Sequence, residues 1–192
     1  MSGIPELSNV DEAALLRSVA EGNVAAYREL VRRHASRVLR LAARVLRDPS
    51  EAEDVTQETF LKVWQRAGDY SPAGSAVGWL CRIAHNLSVD RLRRRGKLQA
   101  FEEEQAEETA PESAPQANLL NRMQRKTALE SAIDALPERQ AAAITLVHLD
   151  ELSGQEASQV LGVSVEALES LLSRARRNLR ARLAQTLAGD QP

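Results

Sequence analysis

Cysteine is almost absent from this chain of 192 residues, which contains a single thiol, Cys81. One thiol excludes an internal disulfide framework and a cysteine-rich zinc site. No apolar run approaches the roughly 20 residues that a membrane-spanning helix needs. Residues 1–9 also lack the basic start and the apolar core of a signal peptide. We therefore expect a cytoplasmic protein that does not insert into a membrane.

Strand patterns are missing as well, because no stretch alternates between apolar and polar residues. Aromatic residues make up only 3% of the chain, and glycine and proline are modest in number. Alanine, leucine, arginine and glutamate are abundant, and from Asp11 onward the apolar residues recur at helical spacing. The sequence therefore predicts an all-α protein.

Charge is unevenly distributed along the chain, although its net value is only −2. Residues 1–98 carry a net charge of +4, whereas residues 99–118 contain six glutamates and no basic residue. This acidic stretch, which includes Pro111 and Pro115, has too few apolar residues to fold. It predicts a flexible linker over 99–118 between two small helical domains, 11–98 and 119–186, with loose tails at 1–10 and 187–192.

The stretch from Ser153 to Leu183 has the pattern of two helices joined at a glycine. Ser153 and Glu156 have the spacing of a capping box, and Gly162 suits the left-handed turn that ends a helix. Ser164 can cap a second, amphipathic helix that ends in a run of arginines. These features are typical of a helix-turn-helix that places its second helix in a DNA groove. A plain helical hairpin in a bundle would show the same caps and apolar stripe.

Two segments of the first domain carry the remaining functional signals. Acidic residues after Pro49 favour a helix N-terminus, and the spacing of Glu51, Asp54 and Glu58 raises the alternative of metal ligands. A Glu-x-x-His step and a second such helix are missing, so an acidic docking face for a basic partner is the better interpretation.

A later helix, about 75–95, combines Trp79 with a basic end, as single-stranded nucleic acid requires. The alternative is that Trp79 is a core residue and the basic run a solvated helix end.

An enzyme is the third class of function to be weighed. Cys81 and His85 lie four residues apart on one predicted helix, a spacing that could pair a thiol with a base. No third group that would orient the base is visible, and no phosphate loop or metal-ligand cluster is present. We therefore expect no enzymatic activity, no cofactor and no metal.

Together these segments resemble the extracytoplasmic-function sigma factors, the compact two-domain group of the sigma-70 family. The resemblance covers nearly the whole chain, and four motifs in order carry it: AEDVTQETFLKVW (52–64), GWLCRIAHNLSVDRLRRR (78–95), ALPERQAAAITL (135–146) and VLGVSVEALESLLSRARRNLR (160–180). It implies a sigma-2-like helical bundle followed by a sigma-4-like helix-turn-helix bundle. It also implies three partners: core RNA polymerase, promoter DNA in duplex and single-stranded form, and an anti-sigma factor.

The resemblance further implies which residues make these contacts. Polymerase docking falls on Glu53, Asp54, Gln57, Glu58 and Lys62. The residues implied to open the minus-10 element and to hold its flipped bases are Asp69, Ser75, Trp79, Arg82, Asn86, Arg91, Arg93 and Arg94. Reading of the minus-35 duplex falls on Ser164, Glu166, Glu169, Ser170, Ser173, Arg174, Arg176 and Arg177.

The chain departs from the family pattern in and near the reading helix. Glu169 and Leu172 stand where a basic residue is usual, and Ser158 stands where alanine is commoner. Glu169 could accept a hydrogen bond from cytosine, or it could weaken binding beside the phosphates. A sigma-like decoy that sequesters an anti-sigma factor is therefore the alternative function. A plain helix-turn-helix repressor would leave the segments 51–64 and 79–95 unexplained.

Overall fold

The computed structural model describes residues 10–71, 74–96 and 122–188, and the regular elements within these ranges are all helices. The all-α prediction is confirmed. The predicted linker 99–118 and most of both predicted tails lie outside the described residues.

The first domain consists of four α-helices: α1 (Glu12–Ala20), α2 (Val24–Leu46), α3 (Pro49–Arg66) and α4 (Ala76–Arg94). A side chain caps the N-terminus of each of the helices α2, α3 and α4. Asn23 Oδ1 accepts hydrogen bonds from the backbone N–H groups of residues 25 and 26. Asp48 Oδ1 accepts the N–H of Glu51 at 3.1 Å, and Ser75 Oγ accepts that of Gly78 at 3.0 Å. These caps satisfy N–H groups that a helix leaves without partners in its first turn.

The second domain contains α5 (Arg122–Asp134), α6 (Glu138–Ile144), α7 (Gly154–Leu161) and α8 (Val165–Ala188). The predicted capping box between Ser153 and Glu156 is present at the start of α7. Gly162 has a φ of 65°, as its left-handed turn requires. Ser164 Oγ accepts the N–H of Ala167 at 3.2 Å and so caps α8 as predicted.

One helix differs from its predicted form. The sequence predicts a single helix from Glu138 to His148, but the α-helix ends at Ile144 and a π-helical turn follows over Thr145–Leu149. The hydroxyl of Thr145 donates to the carbonyl oxygen of Ala141 at 2.7 Å, where the α-helix passes into the π-helical turn. The widened turn ends at Asp150, a buried carboxylate.

The two domains pack against each other. A single apolar core runs through both, from Leu15 in α1 to Ala175 in α8. Helix α2 lies against α6, and α4 lies against α7. The first helix of the helix-turn-helix is therefore in contact with the helix that the sequence assigns to the minus-10 element.

Candidate nucleic-acid interface

Helix α8 separates an apolar face from a polar one. Leu168, Leu171, Leu172 and Ala175 are buried against the rest of the second domain. The opposite face carries the predicted minus-35 residues, of which these are exposed: Ser164, Glu166, Glu169, Ser170, Ser173, Arg176 and Arg177. A helix with this exposed face, preceded by a tight turn and a shorter helix, can enter a major groove.

The predicted minus-35 residues differ in whether their side chains are already hydrogen-bonded within the protein. Arg174 is half-buried, and its guanidinium donates to the carbonyl oxygen of Ser170 at 3.4 Å and to its hydroxyl at 3.2 Å. Ser164 is engaged in capping the helix. Arg176 and Arg177 extend into solvent, so they are the two arginines of this face best placed for phosphate groups.

Leu172 is a core residue with 2% exposure. The departure that the sequence shows at this position therefore does not alter the exposed face. Glu169, in contrast, is exposed on the reading face and adds a carboxylate there.

Helix α4 presents a second polar face. Trp79, Arg82, Asn86 and Arg93 recur at helical spacing, and all but Trp79 are exposed. Trp79 is half-buried, and its ring meets Tyr70 edge to face with centroids 5.8 Å apart. It is thus neither a core residue nor a free ring. A half-exposed indole beside two long polar side chains can stack on an unpaired base.

A cleft of about 320 Å³ opens beside Trp79. The first domain contributes most of its lining through the loop before α4 and the start of that helix: Asp69, Tyr70, Ser71, Gly74, Ser75, Gly78, Trp79 and Arg82. The second domain contributes three residues of α7, namely Glu156, Gln159 and Val160. We call this the minus-10 cleft, because four of the predicted minus-10 residues line it.

Glu156 joins the two domains at this cleft. One carboxylate oxygen, Oε2, accepts the N–H and the hydroxyl of Ser153 at 3.0 and 2.7 Å. The other, Oε1, accepts the N–H of Ser75 at 3.2 Å. Hydrogen bonds from Ser75 and then from Ser153 lower the pKa of Glu156 from 4.5 to about 2. The sequence predicted only the capping box, because nothing local to α7 indicates a partner 81 residues away.

The predicted docking residues lie on one side of α3. Glu53, Asp54 and Gln57 are exposed, while Glu58 and Lys62 are half-buried and form an ion pair at 3.6 Å. Leu61 interrupts this polar face with a side chain that is 58% exposed. Sequence reasoning missed Leu61, although its position off the apolar repeat of Phe60 and Val63 was a usable signal.

Arg91 is placed differently from the other predicted minus-10 residues. It extends from α4 to α3, where its Nη1 lies 3.2 Å from Glu51 and 3.4 Å from Asp54, and its Nη2 lies 3.4 Å from Glu58. Burial would raise the pKa of Glu51, but Arg91 and Arg95 outweigh it and lower that pKa. The geometry therefore brings Arg91 together with the docking carboxylates, away from Trp79, Arg82 and Asn86.

The sulfur and the imidazole considered for catalysis are both buried. Burial raises the pKa of Cys81 to about 12 and lowers that of His85 to about 4. Both groups are therefore neutral near pH 7, and a buried thiol without thiolate character is a poor nucleophile. Among the described residues no group of three or more His, Cys, Asp or Glu side chains is placed to hold a metal ion.

Comparison with known proteins places these features in a family. Residues 30–98 match Sigma-70 region 2, and residues 126–179 match Sigma-70 region 4. The ECF RNA polymerase sigma factor SigK of Mycobacterium bovis is 35% identical over 182 residues, which cover 94% of this chain and 97% of that protein. SigE of Mycolicibacterium smegmatis, an ECF RNA polymerase sigma factor, is 39% identical over 82% of this chain, which spans 61% of that relative's length. The chain belongs to the ECF sigma factors of the sigma-70 family.

Solved structures agree with this membership. CnrH, solved in complex with the cytosolic domain of CnrY, superposes with a TM-score of 0.60 at 27% identity, covering 94% of this chain and 99% of its own. The sigma factor RpoE of Bartonella quintana, solved with the anti-sigma factor NepR, has the same fold, with a TM-score of 0.60 at 22% identity, covering 88% of this chain and 100% of its own. No helix among the described residues combines the length and the apolarity needed to cross a membrane.

Proposed function

We propose that this protein binds core RNA polymerase in the cytoplasm and directs it to promoters with two separate elements. The observation that carries the proposal is the presence of two polar helix faces on different domains: the exposed face of α8 and the Trp79 face of α4. One face suits duplex DNA and the other suits unpaired bases. A plain repressor would need only the first.

The minus-35 element would be read by the first half of α8. Glu169, Ser170 and Ser173 are short or acceptor side chains on the exposed face, within reach of base edges in a major groove. Arg176 and Arg177 follow one turn later and would neutralise phosphates. In this arrangement Glu169 favours a cytosine, because a carboxylate accepts from the cytosine amino group.

The minus-10 element would be held in the cleft beside Trp79. A base turned out of the duplex would stack on the indole, while Arg82 and Asn86 lie further along the same face of α4. Arg93 and Arg94, both exposed near the end of α4, would track the backbone of the strand. No step in this scheme requires a nucleophile, a metal or a cofactor, so the protein would act as a specificity subunit and not as an enzyme.

The polymerase would dock on the acidic side of α3. The carboxylates of Glu53, Asp54 and Glu58 precede the exposed Leu61 on the same side of α3, and an apolar contact with charged residues at its rim is the usual anatomy of a protein interface. Control by an anti-sigma factor is part of the proposal. It is supported by CnrH, which has a similar structure and was solved with the cytosolic domain of another protein bound.

Run-off transcription tests the proposal directly. Purified core polymerase is supplied with a pool of genomic promoter fragments, with and without this protein. We expect new transcripts that depend on the protein and share two short upstream elements. The matched variants are Trp79→Ala, which removes the stacking ring, and Glu169→Gln, which removes the carboxylate from the reading face.

The outcomes separate the alternatives. New transcripts that Trp79→Ala abolishes would support both the function and the cleft. If the protein binds core polymerase but yields no transcript, and if Glu169→Gln restores transcription, the decoy is favoured. Failure to bind core polymerase would refute the proposal.

A further inference from the structure

Arg91 lies on the helix that the proposed function gives to the minus-10 element, but its guanidinium meets the acidic helix α3. Its Nη1 lies 3.2 Å from Glu51 Oε2 and 3.4 Å from Asp54 Oδ2, and its Nη2 lies 3.4 Å from Glu58 Oε2. The Arg91 side chain is 23% exposed. Its charge is therefore held against α3 and does not extend into solvent.

The three acids that Arg91 contacts would repel one another without it. Glu51, Asp54 and Glu58 stand at i, i+3 and i+7, so they lie on one side of α3. Like charges three or four residues apart on a helix destabilise each other. The two η nitrogens of Arg91 supply a shared cation, and a guanidinium is a planar fork that fixes the direction of the carboxylates it meets.

Two of these acids belong to the predicted docking residues, and both remain accessible. The side chains of Asp54 and Glu58 are 61% and 40% exposed, whereas that of Arg91 is 23% exposed. The other carboxylate oxygen of Glu58, Oε1, lies 3.6 Å from Lys62. The arginine thus lies beneath two outward carboxylates and supports them without covering them.

Contact between Arg91 and DNA is disfavoured by the same surroundings. A phosphate brought to its guanidinium would also approach three carboxylates, which repel it. Arg94, three residues further along α4, is exposed and is better placed for a phosphate.

We propose that Arg91 is a positioning residue for polymerase docking, which holds the carboxylates of Asp54 and Glu58 in the directions in which core polymerase meets them. The inference rests on the proposed function for the identity of the partner on α3. It assigns Arg91 to docking, whereas the resemblance implied a contact with the minus-10 strand. Side chains that are ordered before binding need not be ordered during it, and affinity rises accordingly.

Titration with core polymerase measures the effect. The full chain carries a fluorophore at its amino terminus, and its anisotropy is followed as core polymerase is added. We expect Arg91→Ala to bind about fivefold more weakly or worse, because two docking carboxylates lose their fixed directions. Arg91→Lys should bind more tightly than Arg91→Ala, since it returns a cation to the same carboxylates. If Arg91→Ala loses its helical content in circular dichroism, Arg91→Gln takes its place.

Arg95→Ala is the matched control. Arg95 also joins α4 to α3, through Asp48 and Glu51, but it does not contact the two docking carboxylates among the ion pairs described. Its loss therefore weakens the same helix contact, and affinity for core polymerase should stay within about twofold of the wild type. A purely structural role of Arg91 would make the two variants alike in both urea unfolding and polymerase binding.

Run-off transcription separates docking from strand binding. With Arg91→Ala, half-maximal transcription should need about fivefold more protein, and excess protein should restore the plateau. Arg93→Ala/Arg94→Ala should instead lower the plateau at limiting promoter. Wild-type or tighter polymerase binding by Arg91→Ala, no recovery in Arg91→Lys, or a lowered plateau would each overturn the inference. Failure of the wild type to bind core polymerase would refute the proposed function and the inference together, whereas binding by the wild type and Arg91→Ala alike would refute the inference alone.

Discussion

The salt dependence of promoter binding gives the sharpest test of the reading helix. Arg176 and Arg177 are exposed on the polar face of α8, whereas Arg174 is bonded to Ser170. If each of the two exposed arginines neutralises one phosphate, their removal lowers the slope of log K against log salt by about 1.8. Between 50 and 200 mM salt, the wild type should then lose about 12-fold more affinity than Arg176→Ala/Arg177→Ala.

Fluorescence anisotropy of the polymerase complex on the recovered promoter measures this difference. Core polymerase contributes the same salt dependence in both complexes, so the difference in slope belongs to the two arginines. Arg28→Ala/Arg32→Ala carries the same loss of charge on the other domain and should keep the wild-type slope. An unchanged slope in Arg176→Ala/Arg177→Ala would remove both arginines from the DNA contact, whatever the change in affinity.

Three further outcomes are expected. Asp54→Lys/Glu58→Lys should abolish co-purification with core polymerase while leaving the helical content intact, and normal co-purification would refute the docking face. Leu172→Lys should unfold the second domain, because the side chain is buried, whereas Leu172→Met should cost less than about 1.5 kcal/mol in urea unfolding. Burial is the main cause that lowers the pKa of both His34 and His85 to about 4. The unfolded chain therefore takes up protons first as the pH falls below 6.5, and the free energy of unfolding should drop by roughly 3–4 kcal/mol between pH 7 and pH 5. His34→Gln/His85→Gln should flatten that dependence, and a slope equal to the wild type would contradict it.

Local features of the fold were predictable because each is determined by a few neighbouring residues. The capping box of Ser153 and Glu156, the left-handed Gly162 and the break at Asp48 and Pro49 all satisfy backbone groups of their own helix. Their energetics depend little on the rest of the chain. The all-α class and the helix-turn-helix followed from the same signals.

Features that join distant segments were not predictable from the same signals. Arg91 belongs by sequence to the basic end of α4, yet its guanidinium contacts acids that lie 33 to 40 residues earlier. The burial of Asp150 depends on Arg37 and Arg40, which lie more than 100 residues away. Both sets of ion pairs follow only from the packing of the helices. The sequence shows which charged residues the chain contains, but it does not show which of them come into contact.

Domain packing was left open by the sequence for a related reason. An acidic stretch with few apolar residues predicts a linker, but it does not show whether the domains that it joins pack against each other. The contact between the domains includes charged side chains of α2, which the apolar periodicity does not describe. The arginines of α2 have the spacing of a solvated stripe, and a solvated stripe and a domain contact look the same until the second domain is in place.

Glu156 divides its two oxygens between two tasks, and the division makes the start of α7 independent of the contact with the first domain. Oε2 holds Ser153 and thereby caps the helix-turn-helix, while Oε1 alone reaches across to Ser75. Loss of the hydrogen bond to Ser75 would therefore leave the cap of α7 in place. The two helices of the helix-turn-helix carry their own terminal hydrogen bonds and need none from the neighbouring domain to begin at the same residues.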